Sequence, residues 1–480
     1  MERTAGVLAH VTSLPNGYGC GGFGDECLRF VDFLVDCGFG IWQVLPFCLP
    51  DEYHSPYKSF SAFSGNPYMI SLPRLARDGL ISAAELEAAR ERSPYLCEFE
   101  RLDGERLALL AQAAERAGAD KEIDGYLAAH PQAERFCRYM ARRAASENPE
   151  KSDTDGGVYR LWAFCQYVFD RQWKEVKAYA NERGVRIVGD VPIYVSAESA
   201  DVDAAPHLFD LTADGRPRRV AGCPPDYFAK DGQMWGNPLY DWKKMKEDGY
   251  GWWRERLEHM FEWFDGVRLD HFRGFSSFWA IPAGATTARE GKWVKGPGRA
   301  FVDMVRRIAA GRTVIAEDLG EETRDVEKLV RYSGFPGMRV LQFGFAGDET
   351  SRHVPFRYEK NCVAYSGTHD NDTLLGYIWE MDPAERQRLM RYCGCEGESW
   401  ERACDEAIRV LYASAADTVI LPLQDLLRFG GDTRMNLPGR ASGNWAWRVT
   451  DAQLAGIDRA EWRGLARLYG RESRRASATK

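Results

Sequence analysis

Ionisable residues in this chain gather at the ends of short apolar runs: Asp190 within RIVGDVPIYV, Arg268-Leu-Asp270-His271 closing GVRLDH, Glu317-Asp318 closing TVIAE, and Thr368-His369-Asp370-Asn-Asp372 just behind CVAYS. A lone acid in such a place most often caps a loop. Three of them on one rim, Asp270, Glu317 and Asp370, point instead to acid/base chemistry. Arg268 and Asp270 are two apart on a strand and share a face, so the guanidinium is expected to lower the Asp270 pKa and hold it ionised as a nucleophile. Glu317 faces two other carboxylates with no cation on its own strand, which should raise its pKa and keep it protonated as a general acid. That division of labour suits retaining glycoside cleavage, in which one carboxylate attacks the anomeric carbon and the other protonates the leaving oxygen. Asp318 reads as capping or orienting the loop into the next helix.

A rim needs elements to build it. Strands are expected over 6–14, 40–45, 186–195, 266–271, 313–317, 338–345, 362–366 and 419–423, with near-continuous apolar runs that fit strands covered on both faces. Helical patterns lie between them, for example 25–38, with Leu28, Val31, Leu34 and Val35 on one face and Gly38 as a stop, and 250–264. Strand and helix alternating around eight strands predict an α/β fold, a (β/α)8 TIM barrel, whose chemistry sits at the C-terminal ends of the strands. The whole chain, 1–480, reads as a single catalytic barrel with two insertions: 46–185, mostly helical, and 196–265, aromatic, Gly- and Pro-rich loops over the site. About fifty residues follow Arg428, too few for a C-terminal β-sandwich domain.

Composition excludes several classes. The chain holds 63 Lys and Arg against 71 Asp and Glu, a net charge of −8 with no dense basic run, which argues against nucleic acid and against an anionic membrane surface. No stretch matches a secretory signal or a membrane span. The 12 cysteines are scattered, with no C-x-x-C, and read as buried free thiols of a cytoplasmic protein. Neither they nor the eight histidines show metal-ligand spacing, so no metal is expected. Aromatic residues make up 12%, and most should be core, yet several sit in polar loops, as in DEYHSPY, PPDY and MWGNP. Rings in such loops suit stacking on sugar.

Nine motifs in one order carry a further implication: SLPNGYGCGGFGD, SPYKSFSAFSGNPY, GDVPIYVSAESADV, GCPPDYFAKDGQMWGNPLYDW, GVRLDHFRGF, IAEDLG, PGMRVLQFGF, SGTHDNDT and RMNLPG. Together they resemble the amylomaltases, or 4-α-glucanotransferases (disproportionating enzymes), relatives of the α-amylases, over nearly the whole chain. The resemblance implies that Asp270 is the nucleophile, Glu317 the acid/base and Asp370 the transition-state-stabilising aspartate. It implies that Arg268 and His369 hold the sugar in the cleaved subsite, that Asp190 supports the site, and that Tyr57 and the stretch 226–235, including Trp235, arch over donor and acceptor subsites. Asn436 matches an Asn of the MN-x-PG turn. The activity implied is retaining transfer of an α-1,4-glucan segment to the 4-hydroxyl of an acceptor glucan or glucose, linear or cyclising, with maltodextrins, starch or glycogen as substrates and no cofactor.

Two other readings stay open. An α-1,4-glucan hydrolase would use the same carboxylates and differ only in what captures the intermediate. A non-catalytic glucan-binding barrel would not need three intact acids. The protein is read as a monomer or weak homo-oligomer.

Overall fold

Strands buried on both faces need helices around them, and the computed structural model, which describes residues 3–118, 121–147, 156–225, 230–320, 323–346, 350–440 and 442–473, is built that way. Its strands in chain order are β1 (Thr4–Leu8), β2 (Ile41–Gln43), β3 (Arg186–Val191), β4 (Arg219–Cys223), β5 (Gln233–Pro238) and β6 (Gly266–Leu269). There follow β7 (Ser277–Pro282), β8 (Lys292–Lys295), β9 (Thr313–Ala316), β10 (Gly337–Val340), β11 (Cys362–Tyr365) and β12 (Thr418–Pro422). In the order β1-β12-β11-β10-β9-β6-β3-β2 eight of them close into a barrel, every neighbouring pair parallel. Each of the eight expected runs supplies one of these strands.

The strands end earlier than the runs do. Behind β1, β10 and β12 the apolar pattern continues into helical turns, Val11–Ser13, Leu341–Gly344 and Leu423–Leu426. A short apolar run does not by itself distinguish strand from turn. The helix expected over 25–38 spans Asp25–Asp36 and that over 250–264 spans Gly251–Trp263.

The segment 196–265, expected as loops, departs further from its reading. It carries β4 and β5, which join β7 and β8 in a four-stranded antiparallel sheet of order β5-β4-β7-β8 outside the barrel. Two strands of that sheet thus precede β6 and two follow it. Gly222, Gly236 and Pro238 punctuate β4 and β5 in sequence and hide them. Behind β12 the described residues form helical segments and loops, with no further sheet. No helix among the described residues is long and apolar enough to cross a membrane.

Aromatic packing fixes the barrel against its helices. The 26-residue helix Gly157–Glu182 presents Trp173 to Phe23, Trp42, Phe47 and Phe264, with ring centroids 4.7–6.3 Å apart. Nine of the 15 tryptophans are buried, so most of the aromatic surplus is core. Phe264 also presses on Gly189 of β3, where an added Cβ would fall 2.2 Å from its ring. That approach needs a glycine one position before Asp190. Gly189→Ala is expected to lower stability by about 1–3 kcal/mol through overpacking; an unchanged midpoint in urea unfolding would show that the ring is free to move aside.

Candidate active site

Strand register builds the site. β3 and β6 pair Asp190 with Arg268, and β6 and β9 pair Leu269 with Ala316, so Asp270 and Glu317 emerge side by side at the next position. Their backbones stay tied to the barrel: the Asp270 N–H donates to Val191 O and the Glu317 N–H to Leu269 O, each at 3.1 Å.

Arg268 links the acids. Its Nη1 donates to both carboxylate oxygens of Asp190, at 2.8 and 2.6 Å, and lies 3.2 Å from Asp270 Oδ1. Its Nη2 lies 3.6 Å from Glu317 Oε2. The Tyr57 hydroxyl donates to Asp190 Oδ2 at 2.8 Å. His271 sits at φ 46° in the left-handed region, which costs a non-glycine residue and turns its N–H onto Glu317 Oε2.

On the other side of the rim, the loop behind β11 presents His369 and Asp370. His369 Nε2 is 3.3 Å from Asp370 Oδ2, and Asn436 Nδ2 donates to Asp370 Oδ1 at 2.6 Å. The Tyr57 and His369 rings stack at 5.0 Å, with Trp445 5.7 and 5.9 Å from them. Trp235, on β5, meets the His271 ring edge-on at 4.9 Å. All nine residues singled out from the sequence are therefore joined, directly or through one neighbour, around this rim. Of the stretch 226–235, residues 226–229 lie outside the described residues.

A family model described as 4-alpha-glucanotransferase matches residues 9–454. The chain belongs to the 4-α-glucanotransferase family. The 4-alpha-glucanotransferase of Streptococcus pneumoniae serotype 4 is 41% identical over 478 residues, covering 94% of each chain. That of Thermus thermophilus is 38% identical, covering 97% of this chain and 98% of its own. The amylomaltase from Streptococcus agalactiae in complex with acarbose superposes with a TM-score of 0.93 at 33% identity, over 98% of this chain and 100% of that one.

Electrostatics separates the three acids of this family member. Burial pushes Asp270 up, and Arg268 opposes it without cancelling it, so the pKa rises to about 6 instead of falling. The guanidinium is shared: its closest contacts go to Asp190, and Asp270 receives only part of its field. Glu317 is pushed up to about 8, first by burial and then by Asp270, against the pull of Arg268. Glu317 has no cation on its own strand, as expected, but the neighbouring strand supplies one in Arg268. Asp370 moves the other way. The surrounding protein would raise it, although its side chain keeps 47% exposure, but attraction to His369 and hydrogen bonds from His369 and Asn436 hold it well below the usual carboxylate range.

Asp318 does not cap the next helix, which starts at Arg324 behind Thr323. It accepts the Met338 N–H at 2.8 Å and pairs with Arg352 at 2.9 Å and Arg339 at 3.3 Å, so it anchors the start of β10. Sequence reasoning missed Arg434, which donates to the carbonyls of Asp370 and Asn436 at 2.7 and 2.6 Å, and Trp445, held at φ 66°. Arg434 opens the RMNLPG motif and was within reach; nothing local marks Trp445 as a cleft residue.

The Glu317 shift has a signature in stability. The folded protein keeps the Glu317 proton above the ordinary value of 4.5, where the unfolded chain has lost it. Fewer protons bound in the unfolded state mean stability that falls as pH rises from about 4.5 to about 8. Glu317→Gln should remove this slope and gain on the wild type across that interval in urea unfolding. A difference independent of pH would contradict a raised carboxyl.

Proposed function

We propose that this chain disproportionates α-1,4-glucans by double displacement, with Asp270 as nucleophile, Glu317 as acid/base and Asp370 as stabiliser of the charge on the oxocarbenium-like sugar. The observation that carries the assignment is the Arg268 cluster. One guanidinium contacts Asp270 and Glu317 from two different nitrogens, while their pKa values stand at about 6 and about 8. Between those values the first is ionised and the second protonated, the pairing that retaining cleavage requires.

In the first step Asp270 bonds to the anomeric carbon as the glycosidic C–O bond breaks, and Glu317 gives its proton to that oxygen, which leaves as the 4-hydroxyl of the departing glucan. In the second, Glu317 takes the proton of an incoming 4-hydroxyl, which displaces Asp270 and restores the original configuration. Asp370, held ionised by His369 and Asn436, supplies negative charge while the sugar is positive. Asp190 and Tyr57 position Arg268, and Trp235 and His369 form walls against which sugar rings pack. Twelve cysteines, none in a disulfide, favour a reducing, cytoplasmic setting.

Incubation with pure maltotriose should give a ladder of longer and shorter maltodextrins with release of glucose. Products no longer than the substrate would identify a hydrolase instead. Asp270→Asn, Glu317→Gln and Asp370→Asn should each lower turnover by roughly three or more orders of magnitude; near-normal activity in Asp270→Asn would remove it as nucleophile. The pH profile of kcat/KM should be bell-shaped, falling below about 6 as Asp270 gains a proton and above about 8 as Glu317 loses one. A profile flat across that range would separate these two groups from the rate.

A further inference from the structure

A second buried arginine makes no direct contact with an acid among the described residues. Arg256, in the helix Gly251–Trp263, is 2% exposed, and its Nε and Nη1 have no hydrogen-bond partner. No ion pair holds it among the described residues. Its guanidinium lies 4.9 Å from the Trp253 ring and 5.4 Å from the Trp252 ring, which favours a charged form but supplies no acceptor. A buried guanidinium with two nitrogens left unpaired is costly for a protein interior to hold.

The side chain is not enclosed by packing on every side. It lines a small cavity with Tyr57, Ser59, Cys48, Pro192 and Tyr194, with room for about one water-sized group. None of these neighbours brings negative charge. Burial pushes the Cys48 thiol up to about 11 and holds the Tyr194 hydroxyl well above its usual range, so both stay neutral. The guanidinium feels Asp201 electrostatically, but that carboxylate accepts the Ala62 N–H at 2.8 Å and forms no ion pair with Arg256.

We propose that this cavity binds one small monovalent anion of halide size on the Arg256 guanidinium. Such an ion accepts from several N–H groups at once and brings a full negative charge, which a water does not. The cavity shares Tyr57 with the rim, so the anion backs the wall from which the Tyr57 hydroxyl reaches Asp190. The site rests on Arg256 and its surroundings and is independent of the roles proposed for Asp270, Glu317 and Asp370.

Two measurements on the full chain decide. Crystals grown or soaked in sodium bromide should show an anomalous peak beside the Arg256 guanidinium. The melting temperature, followed as chloride replaces gluconate at constant ionic strength, should rise saturably by about 1–3 °C. Arg256→Gln should lose that dependence; if the variant does not fold, the wild-type crystal and chloride titration suffice. A water at the position without anomalous signal, or a melting temperature indifferent to which anion is present, would overturn the proposal.

Discussion

A cation sealed inside a barrel must be matched by negative charge, and Arg268, 4% exposed, is matched by Asp190. That constraint organises the rim. Asp190 absorbs the guanidinium's strongest contacts, so Asp270 and Glu317 feel only its remainder and burial is free to raise both. Were Arg268 devoted to Asp270 alone, the carboxylate would be held far lower and Glu317 would lose the cation that now lies beside it. The arrangement follows from register: β3 and β6 set Asp190 opposite Arg268, while β6 and β9 set the two acids one residue beyond. A slip of one residue would turn each of these side chains to the other face of its strand.

The opposite half of the rim is built by a different device. Asp370 stands on a loop, not on a strand, and what fixes it comes from distant segments: Asn436 and Arg434 from the region behind β12 bond to it directly, and Tyr57 from the region behind β2 stacks on its neighbour His369. The segment carrying Asn436 is itself tied down by Arg448, whose guanidinium pairs with Glu91 and donates to Leu14 O at 3.2 Å. Strand-borne acids have register for precision; the loop-borne acid has a web of hydrogen bonds.

Much of this was legible because the relevant signal is local. Apolar runs become barrel strands whichever helices cover them, and an acid directly behind such a run falls on the rim. The sign of the Asp270 shift was not legible, since it depends on how deeply the pair is buried and on how Asp190 competes for Arg268. The contact between Arg268 and Glu317 crosses strands and has no trace in the spacing of either. Asp318 illustrates the same limit: adjacent to Glu317 in sequence, it points to Arg339 and Arg352 and serves the next strand. The outer sheet escaped because half of it lies on the far side of β6, where no reading confined to 196–265 could find its partners.

That outer sheet limits how the protein can be rebuilt. Because β4 and β5 enter it before the strand bearing Asp270, and β7 and β8 after, the wall holding Trp235 is not a cassette. Exchange of 196–265 with a relative would import two strands and leave behind the two they must pair with, and any mismatch would be felt at β6 itself. Recombination that exchanges this wall would therefore need crossover points before β4 and beyond β8, carrying β6 along with it.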